Sequence, residues 1–388
     1  IHCNIIMNLD YDVSQDFPFK GRIYLNNAST SLMPISSIKA MTDFLVTYNE
    51  LGPDSSTADN FVREKLFLVR KAISHLIKCK PEEVILTQST TDGVNVVANG
   101  LKLKSTSNII IRGSDHEHPA NHYPWMRLSG KVQIRNLDVN ESGFFELEQL
   151  KQMIDGNTGL VVLSHALFNT GAILPVEEIG NILGESNIPY FVDSAQTVGC
   201  IADVDVNKIQ CNFMSFNGSK WLCGPMGTGV FYCKKESSEL LEPLQVGGES
   251  TIFYEGKLAY KEMPAKFQAG FRNWAGVAGL EASVVYLLRL GLDNIRQKNI
   301  KLANLLREEL SKISGVTLYG PVEAEKRTSI VSFSLQNQDP KIVVERLEKE
   351  NIVLAVREIF SKKVIRASMH FFNRESEILK VVEAIKKM

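Results

Sequence analysis

Two short segments combine an apolar run with an ionisable side chain suited to catalysis. Asp193 ends the run Tyr190–Asp193, and small polar residues follow it. Lys220 comes after the run Phe213–Phe216 and precedes a Gly-Pro-x-Gly-x-Gly turn at residues 224–229. A carboxylate at the end of a buried strand is costly unless a cation or a hydrogen-bond donor meets it. A lysine in such cramped surroundings is unusual for a solubilising residue, so both segments are candidates for chemistry.

Each segment has a simpler interpretation when it is taken alone. Asp193 is compatible with a helix N-cap or a turn, and Lys220 with a phosphate-binding lysine. The glycines do not form a Walker loop, because that pattern places its lysine after the glycines and opens a helix. Together, an aspartate and a lysine at the ends of neighbouring strands suit pyridoxal 5′-phosphate. That cofactor takes a lysine for its Schiff base and a carboxylate that keeps its pyridine nitrogen protonated.

The elements that must position these groups are apolar runs that alternate with helical patterns between residues 80 and 235. Runs that are apolar throughout indicate a mostly parallel sheet with helices on both faces. Functional groups of such a sheet lie where its strands end. The predicted strands are Glu83–Thr87, Asn108–Ile111, Gly159–Leu163, Tyr190–Asp193, Phe213–Phe216 and Gly229–Tyr232. The predicted helices are Leu66–Ile77, Thr91–Leu101 and Val176–Leu183.

The pattern changes after residue 275 and predicts a small α+β unit. Its predicted elements are the helices Val277–Leu290, Asn294–Ile313, Ile342–Glu350 and Glu375–Met388 and the strands Val316–Tyr319 and Ser329–Phe333. We therefore divide the chain into an N-terminal segment (1–20), a large α/β domain that binds the cofactor (21–270) and a small C-terminal α+β domain (271–388).

The composition is that of a globular protein and excludes several other classes. Of the 388 residues, 44% are hydrophobic and 22% are charged, which excludes disorder, collagen and coiled coil as the main state. The formal net charge of −1 predicts neither a nucleic-acid nor a membrane partner, since both usually need an excess of basic residues on one face. A local basic pocket for a small anion stays compatible with this balance.

The cysteines indicate neither a metal site nor a disulfide framework. They stand at positions 3, 79, 200, 211, 223 and 233, with no C-x-x-C pair, and are sparse for so long a chain. A reducing, cytoplasmic location is the simplest expectation. The first seven residues are too short and polar for a signal peptide, and Met7 is an alternative initiator. Cys223, close to Lys220, is expected to be a small buried side chain.

The order of three motifs resembles the class V aminotransferases. The motifs are Asp193-Ser-Ala-Gln196, Ser219-Lys220 and Gly224-Pro-x-Gly-x-Gly229. This family is a branch of the fold-type I pyridoxal phosphate enzymes and contains cysteine desulfurases, selenocysteine lyases and isopenicillin N epimerase. The resemblance implies a fold-type I α/β architecture and a homodimer with its sites at the subunit interface.

The resemblance also assigns roles to residues around the cofactor. The stretch Tyr24–Thr30 is similar to the family's entry strand, and Thr87–Asn95 is similar to its phosphate loop at a helix N-terminus. His118 matches the histidine that stacks on the pyridine ring and moves protons, and Gln196 the side chain that hydrogen-bonds the phenolic oxygen. The implied catalytic residues are Lys220, His118 and Asp193. The implied cofactor contacts are Thr90, Thr91, His118, Asp193, Gln196, Asn217, Ser219 and Lys220.

For the amino-acid substrate, the resemblance implies a carboxylate clamp at Arg366, with Asn27 and Asn169 as further substrate residues. Asn169 is offset by one residue from the family's asparagine. Two other departures concern Ser219, where many relatives have histidine, and Gly270–Asn273, which replaces a Gly-Thr-Pro-Asn segment. The threonine hydroxyl is lost there, and Arg272 either supplies charge instead or faces the substrate.

The departure with the largest consequence lies between Val356 and Arg366. In cysteine desulfurases a loop of this region carries the cysteine that takes the sulfur as a persulfide, but here the stretch contains no cysteine. The sequence therefore predicts a pyridoxal phosphate enzyme that acts on an α-amino acid through a Lys220 Schiff base, by C–S β-elimination or amino transfer. The alternatives are a desulfurase with an unrecognised sulfur acceptor, an epimerase, or a non-catalytic α/β scaffold.

Overall fold

The computed structural model describes residues 13–19, 21–113 and 117–388. Most of the predicted N-terminal segment, including Cys3 and Met7, lies outside the described residues. The strands are Ile23–Tyr24 (β1), Val84–Thr87 (β2), Asn108–Arg112 (β3), Gln133–Leu137 (β4), Thr158–Ser164 (β5), Tyr190–Asp193 (β6), Phe213–Asn217 (β7), Gly229–Cys233 (β8), Thr251–Tyr254 (β9), Lys257–Tyr260 (β10), Val316–Tyr319 (β11), Ile330–Leu335 (β12), Ile352–Val353 (β13), Ala355–Ile359 (β14) and Lys362–Ser368 (β15).

The helices include all seven that the sequence predicts, with ends that differ by a few residues except at the start of α2. They are Ile35–Glu50 (α1), Ser56–Ile77 (α2), Thr90–Gly100 (α3), Tyr123–Met126 (α4), Leu147–Met153 (α5), Val176–Glu185 (α6), Val206–Ile209 (α7), Trp274–Leu290 (α8), Leu292–Ser311 (α9), Pro340–Lys349 (α10) and Glu375–Lys386 (α11). Helix α2 begins ten residues before the predicted Leu66, because Ser55 caps it by accepting a hydrogen bond from the Ala58 N–H.

The large sheet has the strand order β2-β8-β7-β6-β5-β3-β4, and β8 runs antiparallel to both of its neighbours. The remaining neighbours pair in parallel, as the apolar runs predict. The sequence missed β4, because this edge strand alternates polar and apolar residues and only its last residue, Leu137, is fully buried.

The central strands carry consecutive apolar residues because each face of the sheet has its own core. In β5, Val161 and Leu163 pack in the core that α2, α6 and α8 cover, whereas Leu160 and Val162 pack in the core beneath α3. The alternation along one strand therefore supplies both cores. Because helices pack on both faces of the sheet, the positions of the strand ends are fixed relative to those helices.

A second sheet, β11-β12-β15-β14, is antiparallel and packs against α9, α10 and α11 around a separate core. The stretch between Val356 and Arg366 lies in the β14–β15 hairpin of this sheet. The division into domains at residue 270 stays a prediction. Two features connect the chain on either side of it. Strand β1 pairs with β13, and α8 contributes Val277 and Leu280 to the core of the large sheet.

Within the described residues, none of the helices alone combines the length and apolar content of a bilayer crossing. The joined pair α8 and α9, bent by 81°, meets the same criterion on length and composition.

Helix α3 approaches β7 closely at Gly93, and this contact provides a test of the packing. A Cβ atom at Gly93 would lie 2.2 Å from the Ser215 Oγ, which donates to the carbonyl of Thr90 at the start of α3. We expect Gly93→Ala to lower the free energy of unfolding by about 1–3 kcal/mol, despite the better helix propensity of alanine. Gly130→Ala, with open space around its Cβ, is the control. Equal melting temperatures of the two variants in scanning calorimetry would contradict the packing argument.

Candidate active site

Asp193 and Lys220 line one cavity at the ends of the parallel strands. Asp193 is the last residue of β6, and Lys220 lies three residues after the end of β7. Because β6 and β7 are parallel neighbours, both strands end at the same edge of the sheet. The residues at and just after their carboxyl ends therefore lie close together. Of the other predicted cofactor residues, the cavity wall includes Thr90, Thr91, His118, Gln196 and Asn217.

The cavity shifts the pKa values of both groups towards neutrality. Burial raises the pKa of Asp193 to about 7, with the carboxylate of Glu117 adding to the rise, while the Ala195 N–H and Lys220 oppose it. Enclosure lowers the pKa of Lys220 to about 8, although Asp193 favours its charged form. Two adjacent groups with perturbed pKa values in one cavity are typical of a catalytic site.

His118 is held as a neutral ring beside these two groups. Its Nδ1 accepts a hydrogen bond of 3.2 Å from the Ala120 N–H, and its ring meets the edge of Phe168 at 5.0 Å. Burial, together with the positive charge of Lys220, lowers the pKa of His118 to about 4. The imidazole therefore stays uncharged at neutral pH and offers an aromatic face rather than a cation.

The start of α3 forms a polar end to the cavity. Ser89 caps the helix by accepting from the Asp92 N–H, and Thr91 is exposed. The buried hydroxyl of Thr90 and the Oδ1 of Asn217 have no hydrogen-bond partner among the described residues. The Asn217 amide donates to the Ser219 Oγ at 3.1 Å. A helix N-terminus with free polar groups is suited to an anion.

Gln196 and Cys223 have fixed positions close to Lys220. The Gln196 Oε1 accepts from the Trp221 indole N–H at 2.8 Å, and its amide donates to the carbonyl of Ala28. Cys223 is buried, and burial raises its pKa to about 12. This agrees with the expectation that Cys223 is a small buried side chain.

Arg366 is buried in the middle of β15, where its guanidinium donates to the carbonyl of Phe168 and to the Ser29 Oγ, both at 2.6 Å. Arg357 of β14 donates to the same Ser29 Oγ at 2.5 Å. The charges of both arginines lower the pKa values of Lys220 and His118, so both belong to the site's electrostatics.

The two predicted substrate asparagines are not part of the cavity wall, and their side chains bond other parts of the protein. Asn27 donates to the carbonyl of Ser368 at 2.8 Å and accepts from the Ser31 hydroxyl. Asn169 donates to the carbonyl of Glu358 at 2.9 Å, which ties the loop after β5 to β14. A direct substrate role for either residue stays a prediction.

Sequence reasoning missed a buried charge pair behind Asp193. Arg112 and Glu117 lie 3.9 Å apart, and the Glu117 Oε1 accepts from the Ser164 Oγ at 2.5 Å and from the His118 N–H at 2.9 Å. The pair thereby fixes the backbone that carries His118. A signal was present in the sequence, because Arg112 directly follows the three isoleucines at positions 109–111.

Comparison with known proteins identifies the family. The family model described as "Aminotransferase class-V" matches residues 23–381. The chain belongs to the class V aminotransferases. A probable cysteine desulfurase of Methanothermobacter thermautotrophicus is 31% identical and the match covers 97% of each chain. A cysteine desulfurase of Escherichia coli O7:K1 is 28% identical, again over 97% of each chain.

Solved structures confirm the predicted fold class. The apo cysteine desulfurase of Thermococcus onnurineus NA1 superposes with a TM-score of 0.91 at 28% identity, and the match covers 98% of each chain. A complex of the cystine C–S lyase C-DES has the same fold, with a TM-score of 0.87 at 23% identity and coverage of 95% of this chain and 98% of the other. The large sheet with helices on both faces and the appended antiparallel sheet are therefore the fold-type I architecture.

Membership in this family makes the chain a pyridoxal 5′-phosphate-dependent enzyme. The residues present fit that cofactor. Lys220 offers an amine with a lowered pKa, Asp193 a buried carboxylate, and the start of α3 carries an unpartnered Thr90 hydroxyl where a phosphate would find backbone N–H donors.

The lowered pKa of Lys220 makes cofactor capture depend on pH. The neutral amine is the nucleophile, so we expect borohydride trapping of pyridoxal phosphate to accelerate as the pH rises through about 8. Mass spectrometry should locate the adduct on the Lys220 peptide, with none in Lys220→Ala. Asp193→Asn should lower the midpoint, because the carboxylate stabilises the ammonium form. The exposed Lys234→Gln is the control. The assignment would be contradicted if capture did not depend on pH, or if Lys220→Ala trapped as much adduct as the wild type.

Proposed function

We propose that this protein is a C–S lyase that cleaves a sulfur-containing α-amino acid by β-elimination and forms no persulfide on the enzyme. The observation that carries this proposal is the β14–β15 hairpin. The strands join through the two residues Phe360 and Ser361, both with positive φ values of 44° and 62°. Such a two-residue turn leaves no loop in this place that would carry a cysteine into the site.

The cysteines elsewhere in the described part of the chain are unsuited to accept sulfur. Burial raises the pKa of the thiols of Cys79, Cys200, Cys211, Cys223 and Cys233. The thiolate is the nucleophilic form, so none of these groups is activated at neutral pH. Sulfur then leaves with the departing part of the substrate instead of passing to the protein.

In this proposal the predicted cofactor residues hold pyridoxal phosphate as follows. Asp193 would hold the pyridine nitrogen, the His118 ring would stack on the cofactor, and Gln196 would hydrogen-bond the phenolic oxygen. The start of α3 with Thr90 and Thr91, together with Asn217 and Ser219, would bind the phosphate. When bound, the cofactor supplies an electron sink for the pair left at the substrate Cα.

Lys220 and Arg366 act on the amino acid itself. The enclosed Lys220 Nζ, with a pKa of about 8, is partly neutral at physiological pH and removes the α-proton as a general base. Arg366 binds the α-carboxylate through its planar guanidinium and so fixes the orientation of the bonds at Cα. With one water consumed, elimination yields a thiol, pyruvate and ammonia.

We also propose a cytoplasmic homodimer. Four large apolar side chains between residues 226 and 271 are mostly exposed, namely Met226 (74%), Phe253 (73%), Tyr254 (71%) and Phe271 (82%). Exposed apolar side chains of this size are typical of an association surface. Phe271 adjoins Arg272, and the charge of Arg272 interacts with that of Asp92 in the first turn of α3. A second subunit that covers Phe271 would therefore lie close to the phosphate end of the cavity.

Product analysis tests the reaction. From L-cysteine or L-cystine we expect pyruvate and ammonia in equal amounts, little alanine and no alkylatable persulfide on the protein. Lys220→Ala should lower kcat by about 100- to 10,000-fold, the contribution of a general base. Alanine formed together with a protein-bound persulfide would contradict the proposal in favour of a desulfurase, and amino transfer to an added keto acid would contradict it in favour of an aminotransferase.

Steady-state kinetics test the role of Arg366. We expect Arg366→Gln to raise KM by about 30-fold or more, because removal of one partner of a buried charge pair costs about 2–5 kcal/mol. The cofactor absorbance at about 420 nm should persist, since Arg366 does not hold the cofactor. Lys363→Gln, an exposed change on the same hairpin, is the control. An unchanged KM for the Arg366 variant would rule out the carboxylate clamp.

A further inference from the structure

Glu117 is a buried carboxylate whose two oxygens have different surroundings. Its Oε1 accepts hydrogen bonds from the Ser164 Oγ at 2.5 Å and from the His118 N–H at 2.9 Å. Its Oε2 lies 3.9 Å from the Arg112 Nε and has no hydrogen-bond partner among the described residues. The nearby cation therefore compensates the negative charge of Glu117 only in part.

Arg112 does not share a hydrogen bond with this carboxylate. Its Nη1 donates to the carbonyl of Gly143 at 3.1 Å, whereas its Nε and Nη2 are buried without a hydrogen-bond partner in the part of the chain that the structure describes. Such a pair contributes little to stability, because desolvation of both charges offsets their attraction. The charge of Glu117 also acts on His122, whose pKa burial nevertheless lowers. The pair is better explained by the effect of the Glu117 charge on its neighbours.

Asp193 is the acidic neighbour of Glu117. Ser164 of β5, which donates to Glu117, pairs in register with Asp193 of β6, and both Ser164 and Asp193 line the cavity. Neighbouring strands lie about 4.8 Å apart, so the two carboxyl groups are neighbours across one serine side chain. A like charge disfavours the ionised form of a carboxyl group. Glu117 accordingly adds to the effect of burial, which raises the pKa of Asp193 to about 7.

The other ionisable groups that act on Asp193 within the described residues oppose Glu117 or carry no charge. Lys220 favours the ionised form of Asp193, as does the hydrogen bond from a backbone N–H. The pKa values of His118 and His165 are lowered to about 4, chiefly by burial, so both rings are neutral at pH 7. The charge of Glu117 is thus the one that favours a proton on Asp193.

We propose that Glu117 is a positioning residue that acts through Asp193: its negative charge retains the proton shared by the Asp193 carboxylate and the pyridine nitrogen of pyridoxal phosphate. The cofactor accepts electrons well only while that nitrogen meets a proton. The same carboxylate holds the His118 backbone, so one side chain fixes the aromatic ring and the proton of the site. This inference rests on the position of Asp193 in the proposed function.

The pH at which the shared proton is lost tests the inference. ¹⁵N NMR follows it in holoenzyme loaded with ring-labelled pyridoxal phosphate, and ¹³C NMR of the Asp193 carboxyl, assigned by its loss in Asp193→Asn, follows it in the full-length apoenzyme. We expect Glu117→Gln, which keeps an acceptor oxygen, to lower both midpoints by about one unit, the effect of one charge about 10 Å away at an effective dielectric constant of about 20. The exposed Glu141→Gln removes the same charge elsewhere and should leave both unchanged.

The outcomes separate this inference from the proposed function. A wild-type Asp193 that titrates at about pH 4, the ordinary value of an aspartate, overturns the inference whether or not a variant folds. Because Glu117→Gln leaves the buried Arg112 unpaired, the double variant Arg112→Leu/Glu117→Gln removes both charges and should show the same downward shift. An unchanged midpoint in either folded variant overturns the inference.

The position of Asp193 has its own readout. A downward shift confined to the apoenzyme, together with a ¹⁵N signal that Asp193→Asn leaves unchanged, would show that Asp193 does not meet the pyridine nitrogen. The proposed cofactor position would then fail, and the shared proton with it, while the effect of the Glu117 charge on Asp193 would stand.

Discussion

Asp193 and Lys220 share one cavity, and each holds a charge that the protein interior disfavours. Neither group is paired closely enough to cancel the cost, so the pKa of the acid rises and that of the amine falls. The arrangement is stable only because rigid elements impose it. Parallel pairing places β6 and β7 side by side, and the cores on both faces of the sheet keep them there. The perturbed groups are thus a direct consequence of strand order.

The same sheet edge supports the groups around this pair. Ser164 pairs in register with Asp193 and donates to Glu117, whose carboxylate also holds the His118 backbone. On the other side, Ser215 of β7 donates to the start of α3, where a phosphate would bind. Side chains of three neighbouring strands therefore fix the ring end and the phosphate end of one cofactor site. Displacement of one strand would move both ends together.

The sequence predicts this part of the site because its signals are local. A carboxylate that ends an apolar run and a lysine before a glycine turn are visible without a structure, and their order identifies the family. Arg357 and Glu117 were missed, since their roles depend on contacts with residues far along the chain. The β14–β15 hairpin was missed as well, because its charged residues hide the alternation of the strands. Asn27 and Asn169 match motifs, but their amides bond the distant Ser368 and Glu358 carbonyls.

The residues that bind the substrate and those that bind the cofactor belong to different sheets in this proposal. Asp193 and Lys220 follow strands of the large sheet, whereas Arg357 and Arg366 belong to a hairpin of the small sheet. Asn169, in the loop after β5, joins this hairpin to the large sheet by donating to the carbonyl of Glu358. A change in the length of the hairpin turn alters what reaches the substrate without moving β6 or β7. In this chain the turn is reduced to Phe360 and Ser361, so the hairpin presents cations to the substrate and no thiol. Anion recognition and the loss of a protein sulfur acceptor therefore have one structural origin.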